Sequence, residues 1–156
     1  MEVDQLKIPD ELVRASEFHT HLGPYLVVGM RMGRAVTREL GDRPFTIRIR
    51  AHTGRVPPYS CLLDGVQVST PCTIGNGCLE VADDCAMAID ATKDGRTVRV
   101  ALRRDVFESI EKTCTEENQE SFACEIWEMP EEKLLLIGAA PGRGGDTSGL
   151  EKRDGK

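Results

Sequence analysis

The side chains best suited to chemistry are concentrated in two short segments, 18–24 and 61–77. These segments contain the candidate metal ligands His19, His21, Cys61 and Cys72. Imidazole nitrogen and thiolate sulfur bind zinc and other borderline-soft metals more readily than they bind magnesium or calcium. The two segments therefore indicate a transition-metal site.

Each part of this pattern also has a structural interpretation. Two histidines at a spacing of two residues often have no metal, and a loop such as 70–77 can be an ordinary turn. Cys61 and Asp64 are three residues apart and would share one face of a helix. Asp64 could accept the second N–H of a metal-binding histidine and fix its tautomer. Alternatively, Cys61 is a small buried hydrophobe and Asp64 a surface charge.

The composition limits the class of protein and its partners. A chain of 156 residues with 40% hydrophobic residues is long enough for one domain with a core. The net charge of −6, with dispersed basic residues, argues against nucleic acid as the main partner. No apolar run is long enough to cross a membrane, and the N-terminus lacks the pattern of a signal peptide. We therefore expect a cytoplasmic protein with reduced thiols.

Hydrophobic periodicity predicts an α+β fold in the order helix, helix, strand, helix, hairpin, helix. A further apolar run, 134–137, is either a strand or a buried helix. The predicted elements are helices over 9–17, 22–40 and 59–69, a strand over 45–51, hairpin arms over 85–91 and 97–102, and a helix carrying Val106, Phe107, Ile110 and Cys114. We expect one domain over 1–140, and a disordered tail over 141–156 because that segment is rich in glycine and charge.

Three smaller features have two interpretations each. In the predicted strand, Arg48 and Arg50 alternate with apolar residues and could bind an anion or form a solvated outer face. His52 could approach the metal site or be an isolated surface histidine. Gly29 and Gly33, four residues apart, indicate close backbone approach, either to a partner or ligand or within one subunit.

Taken together, the two segments resemble the core pattern of the FmdE family, which takes its name from formylmethanofuran dehydrogenase. That pattern has Phe-His-x-His-x-Cys-Pro at the head of a long helix, Cys-x-x-Asp-x-x-Gln in a second helix, and a Thr-x-Cys-Thr-x-Gly loop. The resemblance covers residues 18–81 most strongly. Its matching positions are Phe18, His19, His21, Pro24, Cys61, Asp64, Gln67, Thr70, Cys72, Thr73 and Gly75.

The resemblance implies an α+β core with a mixed sheet packed with helices, a homodimer, and a bound transition metal, usually zinc. The chain departs from the pattern at Gly23, where the family has a cysteine before the proline. It also has Asn76 at a position that is often basic, and Cys78 in place of a small polar residue. The first departure removes a possible thiol ligand, and the second weakens the expectation that a lysine in the loop binds phosphate or carboxylate.

From the resemblance we expect zinc to be held by ligands from the set His19, His21, Cys61 and Cys72. Asp64 would be the catalytic base or would orient a histidine. Gln67, Thr73 and Gly75 would bind substrate.

The expected function is that of a zinc-binding cytoplasmic protein acting on a small molecule in C1 or molybdopterin-enzyme metabolism, whether or not it performs catalysis. The alternative is a non-catalytic accessory subunit or metal carrier that docks on a larger redox enzyme. A third interpretation is a metal-free relic. The expected partners are a second copy of the chain and a redox-enzyme complex.

Overall fold

The structure, a computed structural model, describes residues 7–140, which form an α+β fold as predicted. The helices are α1 (Asp10–His19), α2 (Pro24–Leu40), α3 (Cys61–Ser69), α4 (Arg104–Thr113), α5 (Gln119–Glu128) and α6 (Glu131–Leu134). The strands are β1 (Arg48–His52), β2 (Leu79–Ala82), β3 (Ala88–Lys93), β4 (Arg96–Leu102) and β5 (Leu135–Ala139). Over residues 7–140, no helix has the length and apolarity needed to cross a bilayer. The predicted tail, 141–156, lies outside the described residues.

The five strands form one mixed sheet in the order β2-β1-β3-β4-β5. Only β1 and β2 are parallel, and the other neighbours are antiparallel. The β3–β4 hairpin turns at Asp94 and Gly95, which both have positive φ, as the tightest two-residue hairpin turns require. The predicted hairpin is therefore confirmed, although its first arm begins at Ala88 instead of Cys85.

Helix α2 runs through the core, between the sheet and helices α3 and α5. The residues predicted to face inward are buried, and so is most of the rest of the helix circumference: Tyr25, Val27, Val28, Met32 and Ala35. Gly29 lies against the backbone of α3, where an added Cβ would be 2.1 Å from the carbonyl oxygen of Leu62. Gly33 similarly faces Ser69. Both glycines therefore serve close packing within one subunit.

Three local predictions differ from the structure. The strand predicted from Phe45 begins at Arg48, and Phe45 itself is 74% exposed with a positive φ. Strand β2 was not predicted, because it has four residues and pairs only with β1 through a distant parallel contact. Helix α5 was not predicted, since its apolar residues are spread around the helix and form no single stripe.

The outer face of the sheet carries a charged cluster centred on His52. The two ring nitrogens of His52 lie 3.0 Å from Asp84 and 2.9 Å from Asp90. Arg99 donates two hydrogen bonds to Asp90, at 2.7 and 2.9 Å. His52 is therefore not an isolated surface histidine. Its hydrogen-bond partners, Asp84 and Asp90, lie outside the 18–24 and 61–77 segments. Arg48, also on β1, is exposed, as a solvated outer face predicts.

Candidate functional site

The first site segment is a tight connection between helices α1 and α2. Helix α1 ends at His19 because Thr20 adopts a left-handed conformation with a φ of 76°. Helix α2 begins at Pro24, whose missing N–H costs nothing at the first helical position. The connection leaves the rings of His19 and His21 with centroids 5.0 Å apart.

The second site segment is helix α3, which presents Cys61, Asp64 and Gln67 on one face. These residues are separated by single turns, so their side chains are neighbours along the helix surface. Asp64 lies in the first turn, where the helix dipole favours a negative charge. A Cβ added at Gly65 would lie 2.1 Å from the carbonyl oxygen of Leu26, so α3 packs directly on the start of α2. That packing brings the two segments together.

His19 and Asp64 form the central contact of the site. His19 Nδ1 lies 2.6 Å from Asp64 Oδ2, across 45 residues of sequence. A carboxylate only accepts hydrogen bonds, so Nδ1 is the donor and Nε2 of the neutral ring keeps its lone pair. The His19 side chain is 12% exposed. This is the arrangement by which an aspartate fixes the tautomer of a histidine, and it was one of the two interpretations that the sequence left open for Asp64.

The hydrogen bonds continue from Asp64 to the loop that follows α3. Gln67 Nε2 donates to Asp64 Oδ1 at 3.1 Å. The N–H of Ile74 donates to Gln67 Oε1 at 2.9 Å. Gln67 therefore uses both ends of its side-chain amide to hold Asp64 and the loop in position.

A cavity of about 340 Å³ lies beside the His19–Asp64 pair. We call it the first cavity. It is lined by His19, Arg55, Pro57, Ser60, Cys61, Leu63, Asp64, Gln67 and Ile74. Arg55 is turned towards the sheet, where it forms an ion pair with Asp83 and donates to the carbonyl oxygen of Val81. The first cavity thus combines an oriented imidazole, a carboxylate and a thiol.

The Cys61 thiol is not activated by its surroundings. Burial raises its pKa, and the negative charge of Asp64 raises it further. A thiol becomes a strong nucleophile or metal ligand only as the thiolate, which needs a positive charge nearby. Cys61 is therefore a protonated thiol at neutral pH unless a cation binds beside it.

Cys72 lies apart from the first cavity, and the loop after α3 reaches that cavity only through Ile74. Cys72 is buried, its Sγ donates to the carbonyl oxygen of Ile47, and burial raises the pKa of this thiol to about 11. Thr73 and Asn76 satisfy each other through two hydrogen bonds of 3.0 and 3.1 Å. Neither Cys72, Thr73 nor Gly75 lines the first cavity, which this loop borders through Ile74.

Gly23 faces the imidazole of His21 at close range. A Cβ added at Gly23 would lie 2.9 Å from His21 Nε2 and 3.5 Å from Gln119 Oε1. A side chain at position 23 would therefore extend towards His21, and a cysteine there would bring its sulfur to that imidazole. Glycine lets the His21 ring approach the backbone this closely.

The donor types fit zinc, whereas the donor number fits only an incomplete site. Imidazole nitrogen and thiolate sulfur are zinc ligands. Over residues 7–140, however, no three His, Cys, Asp or Glu side chains are grouped so that they could hold a metal ion. His19 and Cys61 share the first cavity, and His21 lies beside His19. These three residues are the available donors, and Cys72 is not brought to them.

Sequence reasoning missed a second group of residues next to Cys61. Tyr25 and Tyr59 both donate hydrogen bonds to Glu111, at 2.6 and 2.8 Å. Glu111 comes from helix α4, more than 80 residues from Tyr25. No local spacing connects these residues, so the sequence alone carried no signal for the group.

The chain is similar to known proteins in sequence and in fold. Residues 18–136 match the family described as "FmdE, Molybdenum formylmethanofuran dehydrogenase operon". A protein of Archaeoglobus fulgidus, named probable S-adenosyl-L-methionine-binding protein, is 35% identical over 125 residues, which are 76% of this chain. The match covers 32% of that relative, so this chain spans about a third of its length.

A solved structure has a similar fold. It is a tungsten formylmethanofuran dehydrogenase FmdE-like protein from Syntrophus aciditrophicus, with a TM-score of 0.64 and 24% identity. The alignment covers 86% of this chain and 73% of that one. At this identity the likeness concerns the fold. The family match, by contrast, spans both segments that form the site, and this chain belongs to the FmdE family.

Proposed function

We propose that this protein binds zinc and a small molecule at the first cavity, and acts on that molecule in the cytoplasm, in or beside C1 and molybdopterin-enzyme metabolism. The observation that carries the proposal is the 2.6 Å contact between His19 Nδ1 and Asp64 in a cavity that Cys61 also lines. Metal-binding histidines commonly donate their second N–H to a carboxylate in this way. The family's description, which refers to a molybdenum enzyme operon, supports the metabolic setting.

The state of Cys61 favours a metal over a free cysteine nucleophile. Its raised pKa keeps the thiol protonated until a cation offsets Asp64 and the loss of water. A cysteine that acted alone would instead need a lowered pKa. His19 through Nε2 and Cys61, which share the first cavity, are the residues that would hold the ion, and His21 would join them only if its side chain moved. When bound, zinc supplies Lewis-acid polarisation of a ligand oxygen.

The other residues position the substrate and move protons. Asp64 orients His19 through Oδ2 and is held by Gln67 through Oδ1. Its side chain remains 32% exposed, so a free lone pair can accept a proton from a molecule in the first cavity. Gln67 lines the first cavity, and the loop containing Thr73 and Gly75 contributes Ile74 to the same wall. An incomplete set of protein donors leaves coordination positions for substrate.

An accessory role is the second candidate, favoured by exposed apolar side chains that line the first cavity or adjoin its lining residues in sequence. Phe18, Val56 and Ile74 are 57%, 70% and 53% exposed. Phe18 precedes His19, Val56 precedes the lining residue Pro57, and Ile74 lines the cavity itself. A second copy of the chain or a redox-enzyme complex could cover these side chains, and a homodimer is what we expect of this family.

Metal content per chain is the decisive measurement. Protein purified without chelator or an affinity metal would be analysed for zinc as wild type, Cys61→Ser and His19→Ala. Cys85→Ser is the matched control, because Cys85 is exposed and does not line the first cavity. We expect about one zinc per wild-type chain, lost in the first two variants and kept in the control. Zinc that survives Cys61→Ser, or no zinc in any form, contradicts the proposal.

A ligand screen then separates the two candidate roles. Zinc-loaded protein would be screened by thermal shift against small C1 and pterin-type molecules, and against S-adenosyl-L-methionine because the Archaeoglobus relative is named for it. Specific binding that requires Asp64 supports action on a small molecule. Dimerisation through the exposed side chains of Phe18, Val56 and Ile74, with no small ligand bound, supports the accessory role.

A further inference from the structure

A second cavity, of about 330 Å³, lies on the other side of Cys61. It is enclosed by the starts of helices α2 and α3, the end of α4 and the start of α5. Its lining residues are His21, Gly23, Pro24, Tyr25, Leu26, Pro58, Cys61, Ile110, Glu111, Cys114, Thr115, Glu116 and Gln119. We call it the acidic cavity because it contains two glutamates and no lysine or arginine.

Glu111 is fixed in this wall by neutral donors. Tyr25 and Tyr59 donate to its two oxygens, at 2.6 and 2.8 Å. The two rings meet edge to face with centroids 5.5 Å apart, and Phe107 lies within 6.3 Å of both. Packed rings hold the hydroxyls in place, so the carboxylate has a fixed position. Hydroxyl donors orient a negative charge without neutralising it.

The negative charge of Glu111 has no protein counter-ion over residues 7–140. No ion pair in that range includes Glu111 or Glu116. Glu111 is exposed, so water stabilises its charge in the free protein, and a bound cation would replace that water beside the two tyrosine hydroxyls. The cavity thus repels anions and attracts a cation, which would interact with Glu111 at close range.

The remaining wall selects the kind of cation. Pro24, Leu26, Pro58 and Ile110 give the acidic cavity an apolar surface, and Tyr25 adds an aromatic ring. Such a wall offers little to a strongly hydrated metal ion but suits a cation whose charge is surrounded by carbon. Ammonium and sulfonium centres with alkyl groups are recognised in proteins by aromatic rings together with a carboxylate.

We propose that the acidic cavity binds a small organic cation, of the alkylammonium or sulfonium class, with Glu111 as its counter-ion. The inference rests on the proposed function in one respect, since Cys61 lines both cavities and the cation would lie beside the proposed metal site. The inference thus names the chemical class of the molecule that would bind beside the proposed metal site. His21 and Gln119, which line the acidic cavity next to Gly23, supply polar contacts to the rest of the molecule.

The test compares cations with neutral molecules of nearly the same shape. Isothermal titration would measure S-adenosylmethionine against S-adenosylhomocysteine, and choline against 3,3-dimethyl-1-butanol. We expect at least one cation to bind about tenfold or more tightly than its neutral counterpart. In Glu111→Gln, which keeps the shape and a hydrogen-bond acceptor, the ratio should fall to about one.

Glu108→Gln is the matched control, because Glu108 lies on the same helix but is exposed, pairs with Arg104 and does not line the cavity. It should keep the wild-type ratio. Equal affinity for cation and neutral molecule in both pairs, or a ratio unchanged in Glu111→Gln, overturns the proposal. Because the ratio compares two ligands on one folded protein, a general loss of stability does not imitate the result.

The same titration in zinc-free and zinc-loaded protein separates this inference from the proposed function. Cation selectivity in a protein that takes up no zinc supports the acidic cavity and contradicts the metal site. Zinc binding without cation selectivity has the opposite meaning.

Discussion

Gly29 and Gly65 place the backbones of helices α2 and α3 in direct contact. A Cβ atom on Gly29 would lie 2.1 Å from the carbonyl oxygen of Leu62, and one on Gly65 would lie 2.1 Å from that of Leu26. These are backbone atoms, which cannot rotate away as side chains do. Because α3 carries Cys61 and Asp64, this contact sets their distance from the connection between α1 and α2.

Gly29→Ala should therefore destabilise the protein by about 3 kcal/mol, the upper part of the range for overpacking. The added methyl group forces the two helices apart, and this cost exceeds the gain in helix propensity from alanine. Chemical denaturation measures the change in the free energy of unfolding. Gly138→Ala is the control, because nothing lies within 4 Å of a Cβ at that exposed position. A cost below that of the control would show that the helices can separate freely.

Asp64→Asn tests whether the carboxylate orients His19. The asparagine amide can donate as well as accept, so it no longer requires His19 Nδ1 to carry the proton. We expect zinc affinity to fall about 10- to 100-fold, as for other residues that orient metal ligands. Competition with a chromophoric chelator gives the affinity. Asp84→Asn is a matched control, since Asp84 also contacts a histidine but lies on the outer face of the sheet.

The sequence predicted those relationships that depend on local spacing. The long helix α2 was predictable because its apolar residues recur with helical period. The pairing of Asp64 with a histidine was predictable in kind, because helical spacing placed Asp64 beside Cys61 and metal chemistry required an orienting acceptor. That the histidine is His19 depends on how α1 and α3 pack, which no spacing in the sequence reports.

The acidic cavity shows what local patterns cannot predict. Tyr25 opens helix α2 and Glu111 lies near the end of α4, and only tertiary packing joins them. In sequence, Glu111 follows a buried Ile110 and resembles any exposed glutamate on an amphipathic helix. Cys72 illustrates the opposite case, since its motif position suggests a ligand while its thiol donates a hydrogen bond to the carbonyl oxygen of Ile47 inside the core.

His52 makes the stability of the protein dependent on pH. Its pKa is raised, first by the hydrogen bond with Asp90 and then, against the effect of burial, by Asp84. The pKa of Asp84 is lowered by the hydrogen bond from His52. Burial alone would raise the pKa of Asp90, but hydrogen bonds from Arg99 and His52 outweigh it and hold that pKa well below its usual range.

A raised histidine pKa gives stability that is complete below the unfolded value of about 6.5 and is lost as pH rises through the folded pKa. The lowered aspartate pKa values give stability that is present above about 3.9 and is lost as pH falls through their folded values. The difference in unfolding free energy between wild type and His52→Gln should thus be larger near about pH 5.5 than near about pH 8.5. Urea denaturation at the two pH values measures it, and a difference that grows with pH would refute this account.

Gly23→Cys should complete the metal site. A Cβ at position 23 would lie 2.9 Å from His21 Nε2, which is too close for an unmoved ring, but the imidazole is a side chain and can shift. The new sulfur would face His21 from the edge of the acidic cavity, which Cys61 also lines. We expect zinc affinity to rise at least about tenfold, because a further thiolate adds to a donor set that is short of ligands.

Gly23→Ser is the matched variant, since it fills the same space with a hydroxyl, a much weaker zinc ligand than a thiolate. An equal gain from serine would mean that the effect comes from rigidity and not from coordination. Gly23→Cys should also narrow the acidic cavity and weaken binding of the larger sulfonium probe more than that of choline. Tighter zinc binding together with weaker sulfonium binding in Gly23→Cys would show that the wild-type chain lacks a metal donor here but keeps room for a ligand. If zinc affinity is unchanged, His21 is not a ligand and the ion must be held from the side of the first cavity alone.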